Sequence, residues 1–242
     1  PVGGLPSDPE MKPSPAMHSA PAALGVKGAG SPTVLEHLHA WVISVDHKKL
    51  GLMYVLYGLI FFGVAGLEAG LMRIQLAFPN STFLSPQLFN QLFTLHGTTM
   101  VFLVGMPLLF GFANYLVPLM IGARDLAFPR LNAFGFWLSA MGGILLYFSL
   151  IGGMGMSGAG SAPDVGWFAY SPLTAKAFSR GHSTDYWTIG ILVGGFGSIA
   201  TAANIVTTIL CLRCRGMTLG RMPLLVWLNL VMCGMVLMVI SP

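Results

Sequence analysis

The chain has 242 residues, of which 55% are hydrophobic and only 8% charged, against roughly a quarter charged in ordinary soluble domains. That composition excludes water as the main solvent. Three cysteines are too few for a disulfide framework, and the net charge of +4 sits in short loops beside apolar runs, which argues for membrane topology rather than a nucleic-acid partner.

Residues Pro1 to Ser31 are rich in Pro, Gly, Ala and Ser and hold no apolar run long enough for a signal-peptide core, so residues 1–34 are expected to form a disordered or extended tail. From Leu35 to Val45 apolar residues recur at helical spacing and end in Asp46, His47, Lys48 and Lys49, an interfacial segment leading into the bilayer. Residues 35–242 are then read as one all-α, polytopic transmembrane bundle of about five spans. These are Leu50 to Met72, Pro86 to Met120, Leu131 to Met156, Tyr186 to Leu212 and Met222 to Pro242. No Asp, Glu, Lys or Arg lies in 74–123, 131–163 or 186–212, and each stretch exceeds the ~20 residues that cross a bilayer core.

Pro107 and Pro118 interrupt the second span, as helices within bundles tolerate. The groups Gly152, Gly153, Gly155, Gly158 and Gly190, Gly194, Gly195, Gly197 predict close helix approach. With the N-terminus cytoplasmic, nine Lys and Arg residues fall on inner segments and three (Arg73, Lys176, Arg180) on outer ones, as the positive-inside rule requires. The outer loop Ser157 to Asp185 carries the aromatic residues expected at an interface. Cys211 and Cys214 have CxxC spacing without a second pair, and read as thiols at the inner end of a helix.

Several polar residues fall inside these apolar runs. His96 lies about 15 Å below the outer end of the second span at 1.5 Å per residue. A histidine there either bonds another helix or serves as a metal ligand, and neutral imidazole is a common iron ligand. Gly97 beside it leaves room for a flat macrocycle. Asn114, Asn132 and Asn204, on three different spans, reach a similar depth near the inner surface, beside Asp125 in the loop Ile121 to Arg130. Such amides either glue helices together or hold a file of water that an acid at its mouth could supply with protons. Asp125 could instead pair with Arg124 or Arg130. Glu68 in the first span requires a partner, a proton or water. His37, His39, His47 and His182 fall outside the spans and are expected to be solvated or interfacial.

The stretch His96 to Phe102 (HGTTMVF) and the stretch Gly111 to Asn132 (GFANYLVPLMIGARDLAFPRLN) resemble subunit I of the haem–copper oxidases, in particular the A-type cytochrome c oxidases. Supporting matches are Asp46 to Lys49 (DHKK), Leu71 to Leu76 (LMRIQL), Gly166 to Leu173 (GWFAYSPL) and Asn204 to Leu210 (NIVTTIL), so the resemblance covers about residues 41–242. It implies that His96 is an axial ligand of the low-spin haem, of type A, and that Arg73 meets the haem formyl group. Trp167 and Tyr170 would pack above the haem region. Asp125 would be the entrance of the proton path called the D channel, with Asn114, Asn132 and Asn204 as its asparagines and Ser198 as a serine further along.

The resemblance further implies an oxidoreductase that passes electrons from cytochrome c to oxygen and pumps protons, in the cytoplasmic membrane of a prokaryote rather than the mitochondrial inner membrane. Family members carry the second axial histidine, the copper ligands and the high-spin haem ligand on later helices. The chain is therefore expected to be a fragment or one part of a split subunit, catalytically incomplete alone. Its expected partners are the remainder of subunit I, a copper-bearing subunit II, subunit III-like chains, cytochrome c and the lipid bilayer. The alternatives are a quinol oxidase subunit I and, from another class, a membrane transporter or structural membrane subunit.

Overall fold

A computed structural model describes residues 33–152, 162–179 and 181–240. The tail Pro1 to Ser31, together with Gly153, Gly155, Gly158 and Arg180, lies outside the described residues. The chain divides between Ala40 and Trp41 into two units. In the first, Thr33 and Glu36 form a reciprocal capping box, with Glu36 Oε2 accepting from Thr33 N at 2.7 Å and Thr33 Oγ1 accepting from Glu36 N at 3.3 Å. This box opens helix α1 (Val34–Val42), which buries none of its residues.

The second unit is helical among its described residues, with no strand. Helix α2 (His47–Gln75) starts where Asp46 caps it, the side chain accepting from Lys48 N. Ser85 caps α3 (Pro86–Thr98) by accepting from Leu88 N, with Pro86 in the first turn, where its missing N–H is harmless. The helix then widens into a π-helical segment (Thr99–Gly105) and continues as α4 (Met106–Ile121). The wide turn ends just before Pro107, whose ring would otherwise collide with the preceding turn, so the span remains continuous over Pro86–Ile121. It stops at Gly122, whose φ of 70° lets the chain reverse while Ala123 N donates to Pro118 O at 2.9 Å. Helices α5 (Pro129–Gly152), α6 (Ser183–Cys211) and α7 (Leu224–Ile240) follow.

Four of the five expected spans are helices long and apolar enough to cross a membrane, and the fifth corresponds to the shorter apolar helix α7 of 17 residues. The fold is an all-α transmembrane bundle. Its polarity is inverted relative to a soluble protein: Leu67 is 72% and Phe62 55% exposed, whereas Asn114, Asn132, Thr201, Asn204 and Thr208 are fully buried.

Glycine draws two helix pairs together. A Cβ at Gly142 of α5 would lie 2.6 Å from Gly190 O and 2.9 Å from Gly194 Cα of α6, and one at Gly51 of α2 would lie 2.9 Å from Gly111 O of α4. Around these contacts a larger core gathers Leu50, Tyr54, Phe110, Val117, Phe136 and Ile205. A smaller one joins Leu95, Leu103, Leu146, Val165 and Trp187 beneath the outer loop.

Candidate functional site

His96 occupies the last turn of α3, where its Nδ1 meets the backbone carbonyl of Ala65 on α2 at 3.0 Å. A carbonyl only accepts, so Nδ1 carries the proton and Nε2 keeps its lone pair. Nε2 has no hydrogen-bond partner among the described residues. This is the arrangement of a metal-ligating histidine, whose second nitrogen donates to a backbone oxygen that fixes the tautomer and ring orientation. No group of three or more His, Cys, Asp or Glu side chains converges among the described residues. A single imidazole nitrogen held in this way fits a haem, which brings its own four nitrogens and needs one protein nitrogen per face.

The outer loop is tied down around this histidine. Gly166 N donates to Thr94 Oγ1 at 3.0 Å and Trp187 Nε1 to Thr98 Oγ1 at 3.1 Å, so the residues flanking His96 in α3 anchor both the loop and α6. Gly97 serves a different neighbour from the one its small size suggested: a Cβ there would lie 2.7 Å from Trp167 Cβ and 2.9 Å from its Cγ. Its missing side chain admits the Trp167 residue of the outer loop. Tyr170 lies beyond, half-exposed, with its ring 4.0 Å from that of Phe168. Arg73 is exposed in the last turn of α2, eight residues and about 12 Å of helix rise from Ala65, and makes no ion pair among the described residues.

Glu68, one turn after Ala65 on α2, is buried with 7% exposure. Its Oε1 accepts from the Tyr147 hydroxyl of α5 at 3.1 Å, and the Tyr147 oxygen in turn accepts from Thr99 Oγ1 at 2.7 Å, while Oε2 is without a partner among the described residues. Of the three possibilities open to Glu68, a neutral hydroxyl partner is the one the fold supplies. Tyr147→Phe, which strips from this carboxyl its only donor among the described residues, is expected to lower stability by about 1–3 kcal/mol, measured as a drop in the thermal midpoint of the purified protein.

At the inner end, Asp125 is half-buried in the turn between α4 and α5, its Oδ1 accepting from Leu126 N at 2.8 Å. It pairs with neither Arg124 nor Arg130; the one ion pair among the described residues is His182 with Asp185 at 2.9 Å. Asn114 donates from Nδ2 to Phe110 O at 2.8 Å; its Oδ1 and both amide atoms of Asn132 have no partner among the described residues. Fully buried amide atoms of this kind are the natural ligands of ordered water. Asn204 differs, because both its amide atoms bond the backbone of Phe128. Ser198 is buried on α6, donates to Gly194 O at 3.1 Å, and lines a cavity of about 750 Å³ together with Tyr54, Ser139, Phe110 and Trp227.

Some residues that pack against these polar groups were not singled out in sequence. His47, expected to be solvated or interfacial, is buried with 3% exposure because α2 begins three residues earlier than its apolar run, and its Nδ1 meets Asn114 O at 2.9 Å. Tyr54 bonds Thr201 Oγ1 at 2.9 Å beside the same cavity. Thr208 stands one turn from Asn204 on α6, and that i,i+4 spacing of two polar side chains offered a signal.

The family described as cytochrome c and quinol oxidase polypeptide I matches residues 49–242. Among curated relatives, cytochrome c oxidase subunit 1 of Corynebacterium efficiens is 47% identical over 205 residues, covering 84% of this chain and 34% of the relative. The subunit 1 of Bacillus subtilis is 44% identical over 202 residues, covering 84% and 31%. A probable cytochrome c oxidase subunit 1-beta of Nocardia farcinica is 42% identical over 238 residues, covering 98% and 37%. The chain thus spans about a third of the length of these relatives.

Proposed function

Because the chain belongs to the cytochrome c and quinol oxidase polypeptide I family, we propose that it is part of the catalytic subunit of a terminal oxidase that passes electrons from cytochrome c to oxygen and pumps protons. Its place is a bacterial cytoplasmic membrane, with the N-terminus inside. The observation that carries this reading is the bond from His96 Nδ1 to Ala65 O, which presents Nε2 as an axial nitrogen.

In the proposed site a low-spin haem, of type A, supplies one-electron transfer when bound. His96 holds its iron from one face, and the Ala65 carbonyl holds the His96 ring against rotation. Arg73 offers a guanidinium to the formyl edge, and Trp167 and Tyr170 close the site from outside. The second axial ligand, the high-spin haem and the copper belong to other parts of the complete subunit. A copper-bearing subunit II would be the neighbour that delivers electrons to this site, and subunit III-like chains would complete the assembly.

Asp125 faces the cytoplasm at the mouth of the proton path. Asn114 and Asn132 hold water with their unpartnered amide atoms, Asn204 stands at the same entrance, and Ser198 continues the path toward the cavity. Asparagine does not titrate, so these amides orient water while protons move along it. In the purified complex, Asp125→Asn is expected to slow proton uptake at least tenfold with an unchanged visible haem spectrum. Uptake at the wild-type rate contradicts the entrance role, and loss of the spectrum assigns Asp125 to folding.

A further inference from the structure

From Leu126 to Phe128 every backbone N–H of the inner loop ends on a side chain. Leu126 N donates to Asp125 Oδ1 at 2.8 Å, Ala127 N to Thr208 Oγ1 at 2.9 Å and Phe128 N to Asn204 Oδ1 at 2.9 Å, and Pro129 has no N–H. Asn204 completes a two-point pairing by donating from Nδ2 to Phe128 O at 3.0 Å, much as a neighbouring strand would. Thr208 uses its own proton on Asn204 O at 2.7 Å, which orients its lone pairs toward the loop. Both side chains are fully buried, and they lie one turn apart on the same face of α6.

We infer that Asn204 and Thr208 form a clamp on residues 127 and 128 that positions Asp125, and that Asn204 serves the proton path by holding its mouth rather than by holding its water. The inference rests on the reading of Asp125 as the proton entrance. The amide atoms of Asn204 are committed to peptide groups, whereas Asn114 and Asn132 keep atoms for water. Phe128 O also accepts from Asn132 N at 3.0 Å, so the clamp sets the first turn of α5 as well as the loop. A single hydroxyl on α6 therefore governs where a carboxyl two residues from its contact stands. Thr208 is a positioning residue that acts through the Ala127 N–H.

The test compares Thr208→Val, Thr208→Ala and Thr208→Ser in the complete complex reconstituted into liposomes, with Asp125→Asn as reference. Valine keeps the volume and removes the acceptor, alanine serves if valine fails to assemble, and serine restores the hydroxyl. The readouts are the visible haem spectrum, amide hydrogen exchange at Ala127 and Phe128, and the pH profile of proton uptake. The clamp predicts an intact spectrum, exchange at Ala127 raised at least tenfold, and uptake slowed several-fold with a displaced pH midpoint in the valine or alanine variant. All three return toward wild type with serine. Slow uptake in Asp125→Asn beside a wild-type rate and pH profile in the Thr208 variants overturns the clamp and leaves the entrance reading intact. Wild-type uptake in Asp125→Asn overturns both.

Discussion

Replacing His96 with leucine is expected to abolish the low-spin haem signal of the assembled complex, with at least a tenfold loss of that haem per protein. The hydrogen bond to Ala65 is worth only about 1 kcal/mol, so its loss alone leaves the bundle folded. In the proposed role, by contrast, His96 would hold the haem iron through Nε2, and no other described residue on α3 offers an imidazole nitrogen in its place. Absorption and electron paramagnetic resonance of the purified variant read the outcome, and a full low-spin signal in His96→Leu would reject the assignment. If His96 only joined α2 to α3, the same substitution would move the thermal midpoint slightly and the spectrum not at all.

The second large effect is expected at Gly142. A methyl group there meets Gly190 O at 2.6 Å and Gly194 N at 2.7 Å, both backbone atoms of α6 that no rotamer change can move aside. Overpacking against adjustable side chains costs about 1–3 kcal/mol, and a backbone collision lies at or above the top of that range. Gly142→Ala should therefore lower the thermal midpoint of the complex, and Gly142→Val should prevent its accumulation in the membrane. Normal yield of the valine variant would show that α5 and α6 stand further apart than the glycines indicate.

These two residues illustrate what the sequence discloses and what it hides. The membrane bundle is legible because the bilayer forbids charge over long stretches, and the charge-free runs mark the span interiors directly. Span ends are less legible. The Asp46 cap puts His47 inside α2, where an apolar count starts at Leu50, and a histidine expected to meet water is instead buried against Asn114. The π-helical segment leaves no pattern of its own; only Pro107 hints that the preceding turn must widen.

Partners on the backbone are the hardest to read. Nothing in the letters distinguishes the carbonyl of Ala65 from any other, yet it fixes the tautomer of His96. The same limit hides the difference among the three asparagines, since depth along a helix is identical for an amide left without a partner among the described residues and one that holds a peptide. Gly97 was informative for its size and misleading for its neighbour, because the outer loop that delivers Trp167 is 70 residues away in sequence and close only in the fold.

The most direct measurement is chemical rescue of the axial nitrogen. His96→Gly complex supplied with ¹⁵N-labelled imidazole, studied by pulsed electron–nuclear spectroscopy on the low-spin ferric haem, should recover the signal with a strongly coupled ¹⁵N. A low-spin signal that persists in His96→Gly without imidazole, or that recovers with no ¹⁵N coupling, would contradict His96 as the ligand.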